Sequence, residues 1–297
     1  MRDSNWSTAW AMLFASFCLG GAVCAAQQPP EPPAMTVQRV RGEIFAVKGG
    51  SGANTGFAIC DQGVIAIDAK MTEDSTKRLV GEVARLTPKP IRSIVLTHSD
   101  GDHVNGLTGF PAGLPILAHE NTKKDMEAAF KDVALQALRA YLPNRTIART
   151  LSLQCGPTGL DLLHFGPAHT SGDVLVLFPG ARVAFVGDLV FMGRDPLIHR
   201  HKGGTSFGLV RALKEVLKLD ADTFVPGHGD LFGKTDIQAL IGSFEDKQAK
   251  IQAMVQEGKT LEEVKKAFGI DDRPGQLGRH WPSPVEIIYL DITEKKS

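Results

Sequence analysis

Apolar and polar positions alternate in short runs over most of the chain. Val37–Val47 and Phe57–Ile67 have the alternation and β-branched content of strands, and Asp61-Gln62-Gly63 turns the second run back on itself. Thr72 predicts a helix cap. Leu79, Val83 and Leu86 then recur at helical spacing until Pro88 and Pro90 stop the helix. Ile94-Val95-Leu96 reads as a short buried strand and Ile116–Ala118 as another, with a long helix predicted over Asn121–Leu142, ended by Pro143. Thr146–Leu153 and Leu160–Phe165 alternate as strands on either side of Gly156-Pro157-Thr158-Gly159. Asp173–Phe178 and Ala181–Val186 predict a hairpin around Pro179-Gly180, and Ser206–Leu219 and Thr235–Gln256 predict helices. Thr260 with Glu263, and Ser283 with Glu286, read as capping boxes, the second with Pro284 at the first helical position. The strands fall in two clusters, each followed by helices, which suits two packed sheets with helices outside. No repeat at solenoid spacing is evident, and no linker interrupts residues 37–297, so one domain is expected there.

The N-terminal residues depart from this pattern. Arg2 precedes an apolar run from Ala9 to Leu19, followed by the small residues Gly20-Gly21-Ala22-Val23-Cys24-Ala25-Ala26. This is the layout of a signal peptide over residues 1–26, too short for a comfortable transmembrane span, with cleavage expected after Ala25 or Ala26. Residues 27–36, rich in Pro, read as an extended linker. Export to the periplasm or beyond is therefore expected, with no stable membrane insertion after cleavage.

Composition excludes little else. The 297 residues are 43% hydrophobic, enough for a sizeable core, and 33 basic residues balance 33 acidic ones. No overall field argues for nucleic acid or an anionic membrane as partner. Cleavage would leave Cys60 and Cys155, which permit one disulfide in an oxidising compartment. Cys60, at the end of an apolar strand, reads instead as a small buried hydrophobe.

The candidate chemistry lies directly after the Ile94–Leu96 run, in Thr97-His98-Ser99-Asp100-Gly101-Asp102-His103. Two imidazoles and two carboxylates within six residues, in a loop leaving a strand, are ligands for zinc, iron or manganese rather than copper(I). Further candidates sit where later apolar runs stop: His169, Asp188 and His228. Ligands at the ends of several strands converge on one rim of a sheet.

These residues resemble the metallo-β-lactamase superfamily. The resemblance rests on Thr97-His98-x-Asp100-x-Asp102-His103, His169-Thr170-Ser171-Gly172-Asp173, Gly187-Asp188 and Pro226-Gly227-His228-Gly229. It implies an α+β fold, a four-layer αββα sandwich. It implies a first metal site from His98, Asp100 and His169, a second from Asp102, His103 and His228, and Asp188 bridging both ions. It makes Asp68 a structural residue near the site, and Asp102 and Asp188 catalytic. Asp100 stands where the family pattern H-x-H-x-D-H has its second His, so the metals implied are two divalent ions, zinc first, with iron or manganese admitted by the carboxylate. Two such ions about 3.5–4 Å apart can hold a hydroxide between them. The function expected is hydrolysis of an ester, lactone, thioester, amide or phosphoester by that hydroxide. A β-lactamase, a di-iron redox protein and a non-catalytic metal-binding module are the alternatives, and the His-Thr-Ser-Gly-Asp stretch resembles periplasmic members associated with sulfur oxidation and quinoprotein systems.

Other residues carry plainer expectations. Asp173 reads as a turn residue or one supporting a ligand, His164 as a core or supporting residue, His119 as a helix cap, and His280 has no assignable role. Gly193–Thr205 carries Arg194, His199, Arg200, His201 and Lys202. It is either an ordinary exposed loop or a clamp or lid for an anionic small-molecule substrate.

Overall fold

A computed structural model describes residues 33–157, 159–270 and 281–294. The expected signal peptide, linker residues 27–32 and His280 lie outside the described residues.

The first sheet has the order β1-β2-β3-β4-β5-β6-β7: Thr36–Arg41, Ile44–Lys48, Thr55–Cys60, Gly63–Ile67, Ile91–Val95, Ile116–His119 and Arg145–Ile147. The second runs β12-β11-β10-β9-β8: Thr223–His228, Val183–Phe191, Leu175–Phe178, Leu160–Leu163 and Thr150–Leu153. Helices are α1 (Glu73–Leu86), α2 (Gly101–Val104), α3 (Glu120–Ala129), α4 (Ser206–Lys218), α5 (Lys234–Gln256), α6 (Leu261–Ala267) and α7 (Pro284–Thr293).

Strand alternation builds the layers. Ile44, Ala46, Ile65, Ile67 and Val95 of the first sheet pack against Leu162, Val176, Phe185 and Val225 of the second. Their neighbours Phe45, Val47, Val64, Ala66 and Ile94 face the other way, onto Leu79 and Val83 of α1 and Met126 of α3. On the far side, Leu175, Leu177, Ala184 and Val186 pack with Leu209 and Leu213 of α4, Ile237 and Phe244 of α5 and Ile288 of α7. Sheets buried on both faces need apolar residues at every strand position, which is why β11 is buried throughout its nine residues. The result is the expected αββα sandwich.

Four elements differ from the sequence reading. Val37–Val47 is a hairpin, since Gly42 at φ +55° turns the chain between β1 and β2. The helix expected over Asn121–Leu142 stops at Ala129, because the Asp132 carboxylate accepts from Ala134 N and starts a separate 3-10 segment, Val133–Tyr141. Thr146–Leu153 divides into β7 and β8, which pair in different sheets, so the chain crosses the sandwich at Ala148-Arg149. Finally, Cys60 is buried as expected but is disulfide-bonded to Cys155, tying the end of β3 to the segment after β8 across the inter-sheet core. Among the described residues no helix is long and apolar enough to cross a membrane.

Candidate metal centre

Every candidate ligand lies at the rim reached by the C-terminal ends of β4, β5, β11 and β12. The chain leaves β5 through Leu96 and Thr97, presents His98, and starts α2 with Asp100 as its cap residue. The Asp100 carboxylate makes no capping bond, so it is free to turn toward the centre. Asp102 and His103 follow within α2, His169 comes from the loop between β9 and β10, and His228 ends β12. Asp188 lies inside β11 rather than after it. Gly187 at φ +52° shifts the register there and turns Asp188 inward, and a Cβ on Gly187 would sit 2.9 Å from the Thr97 side chain.

Asp68 organises the first turn of the site. It follows β4 at φ +60°, a strained conformation for a residue with a side chain. Its Oδ1 accepts from Thr97 N at 2.7 Å, and its Oδ2 accepts from Thr97 Oγ1 at 2.7 Å and from His103 Nδ1 at 2.8 Å. The Thr97 hydroxyl, its proton spent on Asp68, accepts from His98 Nδ1 at 2.9 Å. His169 Nδ1 donates to the Leu197 carbonyl at 2.8 Å. With each Nδ1 committed as donor, the partners select tautomers that leave Nε2 of His98, His103 and His169 for a metal.

These atoms converge. His98, Asp100, His169 and Asp188 form one group that could hold a metal ion, and Asp102, His103 and His228 a second, with the ligand atoms of each group within 4.8 Å of one another. Asp188 reaches both groups. Its Oδ1 lies 3.1 Å from His103 Nε2, and its Oδ2 lies 3.7 Å from His98 Nε2 and 3.5 Å from His228 Nε2. Nε2 of His98, Nε2 of His103 and Oδ1 of Asp188 are buried and make no hydrogen bond. Buried polar atoms left in this way are costly, and cations held by the two groups would satisfy them. The donor set, imidazole and carboxylate, suits zinc, iron or manganese, so the residues fit the two divalent ions that the family implies.

The electrostatics agree. Burial pushes the Asp188 carboxyl up, but the adjoining His103 and His98 outweigh it and hold it well below the carboxylate range. Asp100 is likewise driven down against burial by hydrogen bonds from His169 and His199. Burial lowers His169 and His228, yet the carboxylates facing them raise each to about 9. His98 moves down through burial and the neighbouring His103. The facing imidazoles thus favour the ionised form of Asp100 and Asp188.

His119 and His164 have structural roles. His119 accepts from Asn121 N and caps α3, while His164 stacks on His119 at 3.9 Å and hydrogen-bonds the Asp173 carbonyl through Nδ1. Asp173 accepts from Thr170 N and Oγ1, a turn role. Most of the basic segment is packed rather than exposed as an ordinary surface loop. Arg200 pairs with Asp291 and Glu294, and Arg194 lies over Phe191, whose ring stacks on His228 at 4.7 Å. His199 Nε2 and Lys202 Nζ each lie 2.7 Å from Asp100 oxygens. That contact, the Leu197 carbonyl and the close approach of Gly227 to Asp188 are site features that no local spacing signals.

Comparison with known proteins agrees with this geometry. The family model described as "Metallo-beta-lactamase superfamily" matches residues 61–228, more than half of the chain. The alpha subunit of 2,4-dinitroanisole O-demethylase from a Nocardioides species is 30% identical over 198 residues, covering 66% of this chain and 58% of that protein. A linear primary-alkylsulfatase from a Pseudomonas species is 22% identical over 234 residues, covering 64% and 44%. The chain therefore spans about half the length of the curated relatives it matches. Among solved structures, the stereoselective inverting sec-alkylsulfatase Pisa1 from Pseudomonas superposes with a TM-score of 0.68 at 15% identity, over 86% of this chain and 50% of that one. By sequence, fold and the convergence of His and Asp side chains, the chain belongs to the metallo-beta-lactamase superfamily.

Proposed function

We propose that the chain is a metal-dependent hydrolase whose centre takes two divalent ions, zinc first, with iron or manganese as alternatives admitted by Asp100. The observation that carries this reading is the convergence of seven imidazole and carboxylate side chains around three buried atoms that no hydrogen bond satisfies. His98, Asp100, His169 and Asp188 would hold one ion and Asp102, His103 and His228 the other, with Asp188 near side chains of both groups. When bound, such ions polarise a substrate oxygen and lower the pKa of water.

The chain's own contribution is preorganisation. Asp68, Thr97 and the Leu197 carbonyl fix the imidazole tautomers, and Asp188 keeps the two groups in register. Asp102 and His228 form the more exposed lip, with side chains 23% and 32% exposed. Water and substrate reach the centre over this lip, and the Asp102 carboxylate is placed to take up a proton there.

The substrate is a small molecule with an ester-type linkage: ester, lactone, thioester, amide or phosphoester. The relatives' names add an aryl methyl ether and alkyl sulfates to the compounds worth testing. Assays of the protein after metal removal and after reloading, against this panel, test the reading. Turnover of at least one class should vanish on removal and return with metal. Turnover that survives removal intact contradicts it.

We also propose export to an oxidising compartment, which the Cys60–Cys155 disulfide and the apolar N-terminal run support. Sequencing the N-terminus of protein from its native host should give a start at Ala26 or Gln27. A soluble cytoplasmic form beginning at Met1 would reject export.

A further inference from the structure

Asp100 is the candidate ligand with the most unusual surroundings. Its Oδ1 accepts from Lys202 Nζ at 2.7 Å, and its Oδ2 accepts from His199 Nε2 at 2.7 Å, with His169 Nε2 3.2 Å away. The same Oδ2 lies 3.7 Å from His98 Nε2, as does Oδ2 of Asp188. Oδ2 of each carboxylate therefore lies near one fully buried imidazole, and Asp100 additionally accepts from the Lys202 ammonium and the His199 ring.

The arm that carries His199 and Lys202 is built to stay in place. His199 N donates to the His169 carbonyl, Thr205 N to the Ala168 carbonyl and Ser171 N to the Lys202 carbonyl, each at 2.8 Å. The arm is thus zipped along the loop bearing ligand His169. Its other side is pinned by α7, since Asp291 accepts from Arg200 Nε, Thr205 Oγ1, Ser206 N and Ser206 Oγ at 2.7–3.2 Å. The Asp291 side chain is 2% exposed, so this anchor is shielded from water. It also lies beyond residue 228, where the family match ends.

We propose that His199 and Lys202 are positioning residues that make Asp100 serviceable as a carboxylate ligand of the first group, fixing its rotamer and offsetting its charge. A carboxylate has lone pairs enough to accept both bonds and still face a cation. The proposal rests on the metal reading above. It requires the arm to act through Asp100, and it leaves Asp102, His103 and His228 untouched.

Zinc titration in competition with a chromophoric chelator, alongside thermal melting, tests it without reference to activity. In wild type two zinc equivalents should bind. Lys202→Met and His199→Ala should each weaken one of them by about 10–100-fold, the usual effect of removing a ligand's supporting partner, and leave the other unchanged. The unchanged site also reports that the variant is folded, and Lys202→Arg should recover most of the loss. In an Asp100→His background the ligand is neutral and needs no cation behind it, so Lys202→Met should then cost less than threefold. If wild type binds two equivalents and both arm variants bind them with wild-type affinity, the proposal is overturned and the metal reading stands. An undiminished Lys202→Met effect in the Asp100→His background also overturns it, since the arm would then act on the fold at large. Fewer than two equivalents in wild type defeats the metal reading, and this proposal with it.

Discussion

Removing the Cys60–Cys155 disulfide should lower stability substantially while leaving the metal centre intact. The bond closes a loop of 95 residues between the two sheets. Loop-closure entropy for that length corresponds to about 4.7 kcal/mol at 25 °C, and native disulfides typically deliver about 2–5 kcal/mol. The register Gly56↔Ile67 and Cys60↔Gly63 puts Cys60 at the end of the first sheet opposite Asp68 and the ligand rim. The loss should therefore be global, acting through the unfolded chain, with no local effect on the site. Urea unfolding of oxidised protein, of protein in reductant, and of the Cys60→Ala/Cys155→Ala double variant measures it. The expected result is a fall of about 3–5 kcal/mol in both altered forms, a larger m-value as the freed chain expands, and unchanged metal content. Midpoints within error of the oxidised protein would refute the cross-link, and loss of metal on reduction would refute its separation from the site.

Two further predictions concern buried groups near the rim. A Cβ at position 227 would lie 1.9 Å from Asp188 Oδ1 and 2.9 Å from His103 Cε1; Gly227→Ala should therefore cost about 1–3 kcal/mol in thermal melting and reduce metal content, and normal loading would contradict the close approach. Lys70 is fully buried, donates to the Val47 and Ala53 carbonyls, and is lowered by burial, against the pull of Asp68, to about 8 from 10.5. Between those two values the unfolded chain binds the extra proton, so this group's contribution to stability rises with pH there and is flat below about 8. Relative to Lys70→Met, wild type should gain about 2–3 kcal/mol from pH 7 to pH 10 in urea melts, and a pH-independent difference would show that Lys70 titrates normally.

Much of the candidate site was legible because its candidate ligands are concentrated where strands end. His98 to His103 crowd one loop, and His169 and His228 follow apolar runs, so residue type and position together identify them. What was not legible depends on contacts between distant segments. Thr146–Leu153 alternates identically whichever sheet receives it, so its division between β7 and β8 is decided by pairing partners. Asp188 reads as a residue after a strand, because a register shift at Gly187 is invisible in hydrophobicity. The positive charge of Lys202 suggested a solvent-facing role, yet Asp100, 102 residues away, takes it up. Cys60 and Cys155 meet for the same kind of reason: the two sheets pack, and no local pattern reports which strand ends coincide.

The proposed two-ion centre, with Asp188 shared between its halves, is tested most directly by metal analysis of wild type and Asp188→Asn, each reloaded with zinc and desalted. Asn keeps the size of the side chain while removing the charge that faces His98, His103 and His228. Wild type should retain two equivalents per chain, and Asp188→Asn should retain fewer than one while its circular dichroism stays that of wild type. Two equivalents held with equal affinity by both proteins would contradict the shared carboxylate, and one equivalent or none in wild type would contradict the centre itself.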